Sequence, residues 1–285
     1  MRPFVYARPQ TVDEAFALLD EHGPGAHVLA GGTDLMIGLR HGTINPGIVV
    51  DIKRVAELHS EIRENEGVLT ISSNAVLTDV IGDDRVQRHF PALAEAAATV
   101  GSVAIRNRAT VVGNICNASP AADTAPALLV YGAEIELMSS SGTRRVLLDD
   151  FFVGPGQTEI QPGEIVTAIS LPIPTQPVGV AFGRMTRRRG VDLATINLCC
   201  RVNSDGVTTF AYGAVGPRPF LVGDETGVLA DPGADEQDRD AVLLEMTGHA
   251  SPITDVRASA EYRQAMLEVL SRRALQVASD RLAAA

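Results

Sequence analysis

Only three cysteines occur in 285 residues: Cys116, Cys199 and Cys200. So odd and sparse a set supplies neither a disulfide framework nor a zinc or iron–sulfur ligand spacing, and the cytoplasm is the expected compartment. Cys199 and Cys200 are neighbours in TINLCCRV; in a strand they leave opposite faces, and both read as small buried apolar residues. Positive charge is scarce as well, with 24 lysines and arginines against 35 acids and a net charge of −11. A surface of that sign repels polyanions, which argues against nucleic acid or an anionic membrane as the main partner. Any anionic ligand must then be held by local geometry. No segment approaches the ~18 consecutive apolar residues of a membrane span, so direct insertion is not expected. The N-terminal MRPFVYARPQTVDEAF carries charges and prolines where an export signal needs an apolar core of about 7 residues.

Familiar chemical motifs are missing too. GxGxxG, GxxxxGK[ST] and GxSxG do not occur, which removes the support for Rossmann, P-loop and serine-hydrolase readings. The six histidines form no HxxxH pair, sit in polar segments and are expected at the surface. No catalytic residue and no metal ligand is assigned.

The chain does have the patterning of a folded protein, with 45% hydrophobic residues and a length that suits two or three subdomains at about 150 residues per domain. TVDEAFALLDEHG places Glu14 three residues after Thr11, puts Ala15, Leu18 and Leu19 on one face and ends at Gly23, the pattern of a capped helix. AHVLA, DLMIGLRHG and GIVVDI then read as strand, helix and strand, so the first fifty residues form a small αβαβ unit. Further on, GVLTISSNAVLTDV suggests a strand and a turn, and PALAEAAATVG and TAPALLVYG suggest helices. AEIELMSSSGTRRVLL reads as a hairpin about Ser141-Gly142, and EIVTAISLP as a last strand. Pro172, Pro174 and Pro177 mark a linker. Beyond it, ATINLCCRV and VTTFAYGAV flank a second hairpin, and the final helix carries Tyr262, Met266, Leu270, Ala274 and Val277 as its expected core stripe. The architecture is α+β, in segments 1–55, 56–175 and 176–285, the last a C-terminal antiparallel sheet with helices.

Two stretches lie outside this patterning. AGGTDLMIG puts two glycines between a strand and a helix, where they allow positive φ and leave the following amides free for a phosphate; a simple tight turn is the competing reading. ATVVGNICNASPAAD supplies Thr110, Gly113, Asn114, Asn117 and Ser119 among very small neighbours, a composition that core packing does not explain. Asp123 closes it, either as a helix N-cap or as an acceptor for ligand hydroxyls. The basic run Arg184, Arg187, Arg188 and Arg189 is a solvated loop, a docking element or a phosphate contact.

Taken in order, AGGTDL, RNRATVVGN, NASPAADTAPALL, FFVGPGQTEIQPGEIVTAISLP, RRRGVDLATINL and EYRQAMLEVLSRRAL give a chain that resembles the FAD-binding medium subunit of bacterial molybdenum hydroxylases. That family includes carbon monoxide dehydrogenase and the xanthine dehydrogenase group. The resemblance covers nearly the whole chain and implies a two-subdomain, PCMH-type FAD-binding region followed by a separate C-terminal domain. It implies that Ala30, Gly31, Gly32, Thr33 and Asp34, with Thr110, Val111, Val112, Gly113 and Asn114, wrap the FAD diphosphate. Asp123 matches a family aspartate, Val166 is placed at the flavin and Arg184 matches a basic residue near it. Two departures stand out. Val112 occupies the place of a glycine, where a positive φ would strain a valine, and Leu193 replaces a tyrosine that some relatives set against the flavin. The implied function is a cytoplasmic electron-transfer subunit that passes electrons from a partner's iron–sulfur clusters through FAD to an external acceptor. The implied partners are a small [2Fe–2S] subunit and a large subunit with a molybdopterin-type cofactor, in a dimer of heterotrimers. A self-sufficient FAD oxidoreductase is the alternative.

Overall fold

The computed structural model describes all 285 residues and builds them into three main sheets and a two-stranded ribbon of Phe152–Gly154 with Gln157–Thr158, around three apolar cores. The first is a three-stranded parallel sheet in which Ile48–Asp51 lies between Val5–Ala7 and Ala26–Leu29. Its edge strand Val5–Ala7 was not foreseen, because three residues are too few to show a period. Helix Val12–His22 packs Ala15, Phe16 and Leu19 onto Ile48, Val50 and Ile52. The Thr11 hydroxyl accepts from the Glu14 amide at 3.2 Å, and Gly23 ends the helix at φ 48°, as the capping pattern predicts.

The second unit is a five-stranded antiparallel sheet. Ile165–Pro172 runs at its centre between Val68–Ser72 and Glu134–Ser139, with Ile62–Asn65 and Gly142–Leu147 at the edges. The predicted hairpin is present, with Ser139 paired to Gly142. Alternate residues such as Leu69, Ile71, Ile135 and Ile169 turn into a core shared with helices Pro91–Thr99 and Thr124–Val130.

The third sheet is antiparallel, in the order Val178–Met185, Ile196–Asn203, Thr208–Gly213, Phe220–Asp224. It is apolar on both faces because it lies between two helical layers. Cys199 and Ala211 face the core of the second unit, whereas Cys200, Phe210 and Tyr212 face helices Glu236–Thr247 and Ala260–Ala283. The vicinal cysteines do point to opposite faces, and both are fully buried.

The final helix corrects its expected stripe. Its buried residues are Arg263, Leu267, Ser271, Ala274, Leu275 and Ala278, while Tyr262 is 51% and Val277 43% exposed. The face is turned by about one residue, roughly 100°, and Met266 and Leu270 flank it half-buried. Close approach sets that rotation. A Cβ on Gly179 would strike the Ala278 carbonyl oxygen and lie 2.7 Å from the Leu282 amide, so small residues must face the sheet. Arg263 is tolerated in this buried face because it donates to Thr195 O at 2.5 Å, Ala214 O at 3.0 Å and Asp255 Oδ1 at 2.7 Å. Burial opposes the charge of Asp255, but the Arg257 amide and the Arg263 guanidinium hold its carboxyl down at about 2.

Candidate functional site

One cleft of about 1080 Å³ runs between the first two units and is closed on one side by the third. The strand Ala26–Leu29 delivers its carboxyl end into Ala30-Gly31-Gly32-Thr33-Asp34, and helix Leu35–His41 leaves from the other side. The amides of Gly31, Gly32, Thr33 and Asp34 make no hydrogen bond within the chain. Such donors are costly to leave unmet and suit an anion.

The two glycines have different duties. Gly32 sits at φ 76°, the left-handed region that a side chain disfavours. Gly31 has no such requirement; a Cβ there would collide with the Arg108 carbonyl oxygen and lie 2.9 Å from Ala109 Cα. The close approach expected of this turn is therefore to protein, because it locks the first glycine loop against the segment that leads into the second.

That second segment continues as Thr110, the N-cap of helix Val111–Cys116, whose hydroxyl accepts from the Gly113 amide at 2.9 Å. The Val112 amide, in the first turn of that helix, has no partner within the chain, whereas the Val111 amide is turned towards Ala75 by the bridge that joins Thr110 to Val76. Val112 has ordinary helical backbone, so the strain expected of a valine here is absent and its amide stays available. Gly113 leaves open space that a Cβ would close onto Thr110 Oγ1 at 2.9 Å. Asn114 borders the cleft while its Oδ1 accepts from the Thr124 hydroxyl at 2.7 Å. Ala118 is held at φ 45°, a cost of about 1 kcal/mol for a non-glycine residue, and lies between Asn117 and Ser119 on the cleft wall.

Asp123 occupies the N-cap position of helix Thr124–Val130, yet its carboxylate does not cap it. Oδ1 accepts instead from Arg184 Nε at 2.9 Å and Asn197 Nδ2 at 3.1 Å. Burial pushes this carboxyl above the usual carboxylate range, and Arg184 and Asn197 pull against that push. The capping reading gives way because tertiary partners claim the oxygen first.

Val166 lies on the cleft wall where the central strand carries a register shift, between Val166 and Ala168. Arg184 does not line the cleft. It stands behind Asp123 and also donates to the Asp192 carbonyl at 2.6 Å, which ties down the loop between Met185 and Ile196. Val111 does not line the cleft either: its side chain is turned into the core and its amide faces Ala75 across the bridge between Thr110 and Val76. In the basic run, Arg187 and Arg188 close onto Asp192, and Arg188, Val191, Asp192 and Leu193 overhang the cleft. Leu193 is 51% exposed there.

Sequence reasoning missed a supporting cluster. Tyr6 OH donates to Asp51 Oδ2, Lys53 Nζ lies 2.6 Å from Asp51 Oδ1, and the same ammonium donates to Ala30 O at 3.1 Å. Burial disfavours the charge of Asp51, but Lys53 and Tyr6 hold its carboxyl below the usual range. The cluster thus anchors the first glycine loop and places a cation beside it. The signal available in the sequence was a Tyr within one short strand, an Asp at the end of another and a Lys two residues beyond it, which carries no spacing rule.

The residues present fit a flavin dinucleotide. Unpartnered amides on two facing loops suit a diphosphate, side chains such as Val28, Ile37, Ile105 and Val166 offer apolar walls for rings, and Asp123 offers a carboxylate to hydroxyls. No group of three or more His, Cys, Asp or Glu side chains is placed to hold a metal ion. No helix is long and apolar enough to cross a membrane.

Comparison with known proteins gives the same picture across the whole chain. Residues 2–174 match the family described as FAD binding domain in molybdopterin dehydrogenase, and residues 181–278 match the CO dehydrogenase flavoprotein C-terminal domain. A xanthine dehydrogenase FAD-binding subunit of Escherichia coli O157:H7 is 33% identical over 285 residues, covering 98% of this chain and 96% of its own. The carbon monoxide dehydrogenase medium chain of Afipia carboxidovorans is 30% identical over 282 residues, covering 98% and 97%. Among solved structures, reconstituted CO dehydrogenase from Oligotropha carboxidovorans superimposes with a TM-score of 0.91 at 29% identity, over 98% of this chain and 99% of that one.

Proposed function

The chain belongs to the family of FAD-binding medium subunits of molybdenum hydroxylases, and from that premise we propose that it is the electron-transfer member of a heterotrimer. Its cofactor is FAD, an oxidoreductase cofactor that can store two electrons and hand them on. The observation that carries the proposal is the pair of glycine loops, pressed together at Gly31 and Ala109, whose free amides border one cleft.

In this reading the amides from Gly31 to Asp34, with that of Val112, hold the diphosphate, and Lys53 adds a positive field through its contact at Ala30. Asp123 accepts from ligand hydroxyls with Oδ2, since Oδ1 is engaged by Arg184 and Asn197. Val166 and Leu193 flank the ring system, and Arg184 works behind Asp123 as a positioning residue. The chain supplies binding, orientation and exclusion of water, and electrons arrive from the iron–sulfur clusters of a small partner subunit. A large subunit with the molybdenum cofactor completes a cytoplasmic dimer of heterotrimers, each permanent interface burying more than ~1,000 Å².

The test is co-expression with a small iron–sulfur subunit and a large molybdenum subunit from the same source, followed by native mass and flavin content. The expected result is two copies of each chain and two FAD. An isolated chain that remains monomeric in that mixture and oxidises a small substrate unaided would overturn the proposal in favour of a self-sufficient oxidoreductase.

A further inference from the structure

Ser73 is one of the residues that line the cleft, and its buried hydroxyl has no partner within the chain. The residue is 1% exposed, and its Oγ makes no hydrogen bond in the chain. Its backbone has no freedom to swing the group elsewhere. The Ser73 amide donates to Thr167 O at 2.8 Å, and the next side chain, Asn74, donates to Ile52 O at 3.2 Å and Leu58 O at 2.5 Å. Two residues later Val76 forms a bridge with Thr110, the N-cap of the second loop, and the Leu77 amide donates to Ala109 O at 2.8 Å. The residue is thus fixed between the two subdomains, in a cleft that Ile52, Thr110 and Val166 also line.

Other buried hydroxyls without partners, those of Tyr131, Thr195 and Thr208, do not border the cleft. Inside a core, alanine would serve the position of Ser73 better, because a buried hydroxyl loses its hydration and gains nothing. A ligand that brings an acceptor or donor into the cleft reverses that balance. We infer that Ser73 is a further cofactor-binding residue, whose Oγ hydrogen-bonds a polar group of the bound FAD. The inference rests on the FAD reading and adds to it a contact that neither glycine loop provides.

The experiment compares apo and FAD-loaded full chain for the parent and Ser73→Ala. FAD affinity is measured by quenching of flavin fluorescence, and stability by thermal melting with and without FAD. Ser73→Ala is expected to weaken FAD binding about 3- to 10-fold, the worth of one neutral hydrogen bond. It should raise the apo melting temperature by about 1–4 °C, so that the stabilisation conferred by FAD shrinks from both ends. An FAD Kd equal to that of the parent overturns the inference and assigns a water molecule to Oγ while the FAD reading stands. A parent chain that binds no FAD removes that reading and the inference together.

Discussion

Replacing Gly31 by alanine tests whether the two glycine loops act as one device. The added methyl carbon would meet the Arg108 carbonyl oxygen and lie 2.9 Å from Ala109 Cα, and both obstacles are backbone. Neither can rotate away. Ala109 is fixed by its amide bond to Ile105 O at 2.7 Å and by the Leu77 amide on its carbonyl. Restoring an ordinary contact requires the loops to part by about 1 Å, and overpacking of this kind costs about 1–3 kcal/mol. The same displacement lengthens at least one amide-to-phosphate hydrogen bond beyond its useful range. A bond to a charged group is worth about 1.5–3 kcal/mol, so FAD affinity should fall roughly 10- to 100-fold. Two controls separate spacing from backbone strain. At Gly32, φ is 76° and the methyl would meet the flexible Leu29 Cδ1 at 2.6 Å, so alanine there reports mainly conformational cost. Gly42, at φ 73° with open space around it and outside the cleft, should lose about 1 kcal/mol of stability and none of its flavin affinity. The assay is FAD titration of the apo-protein alongside urea unfolding of the same samples. Gly31→Ala with parental affinity and parental stability would refute the argument, because two backbones cannot hold that distance around a methyl group.

Arg184→Gln leaves Asp123 buried without its cation, and breaking such a pair is expected to cost about 3–5 kcal/mol near neutral pH. Burial already raises the Asp123 carboxyl, so this group favours the folded state when protonated; the loss should grow as pH rises above the unfolded carboxylate value and shrink towards pH 4. Urea midpoints across pH 4–8 check this, and Arg184→Gln with Asp123→Asn should recover stability. Asp255 has the opposite sign. Its carboxyl is depressed to about 2, so its contribution is complete above the unfolded value of 3.8 and disappears as pH falls through about 2. Asp255→Asn should destabilise the protein by about 3 kcal/mol at pH 7, because Arg263 keeps only carbonyl partners, and by much less at pH 2. Equal losses at both pH values would remove the ion pair as the cause.

Much of this molecule was legible in the chain because the determinants are local. Thr11, Glu14 and Gly23 lie within one helix or at its caps, the hairpin is present with its turn at Ser140-Ser141, one residue before the expected Ser141-Gly142, and strand alternation alone sends Cys199 and Cys200 to opposite cores. The small-residue composition of the two loops likewise marked the cleft, whose wall includes every expected cofactor residue except Val111 and Arg184. The tertiary structure decided which partner each group meets. Asp123 fails to cap its helix because Arg184 and Asn197, 61 and 74 residues away, reach it first. Gly31 answers to Arg108 and Ala109, and the final helix shows Ser271 and Arg263 to the sheet because Gly179 brings the two backbones together. A pattern of hydrophobicity fixes which face is apolar on average; which face is closest depends on atoms brought together only when distant segments pack.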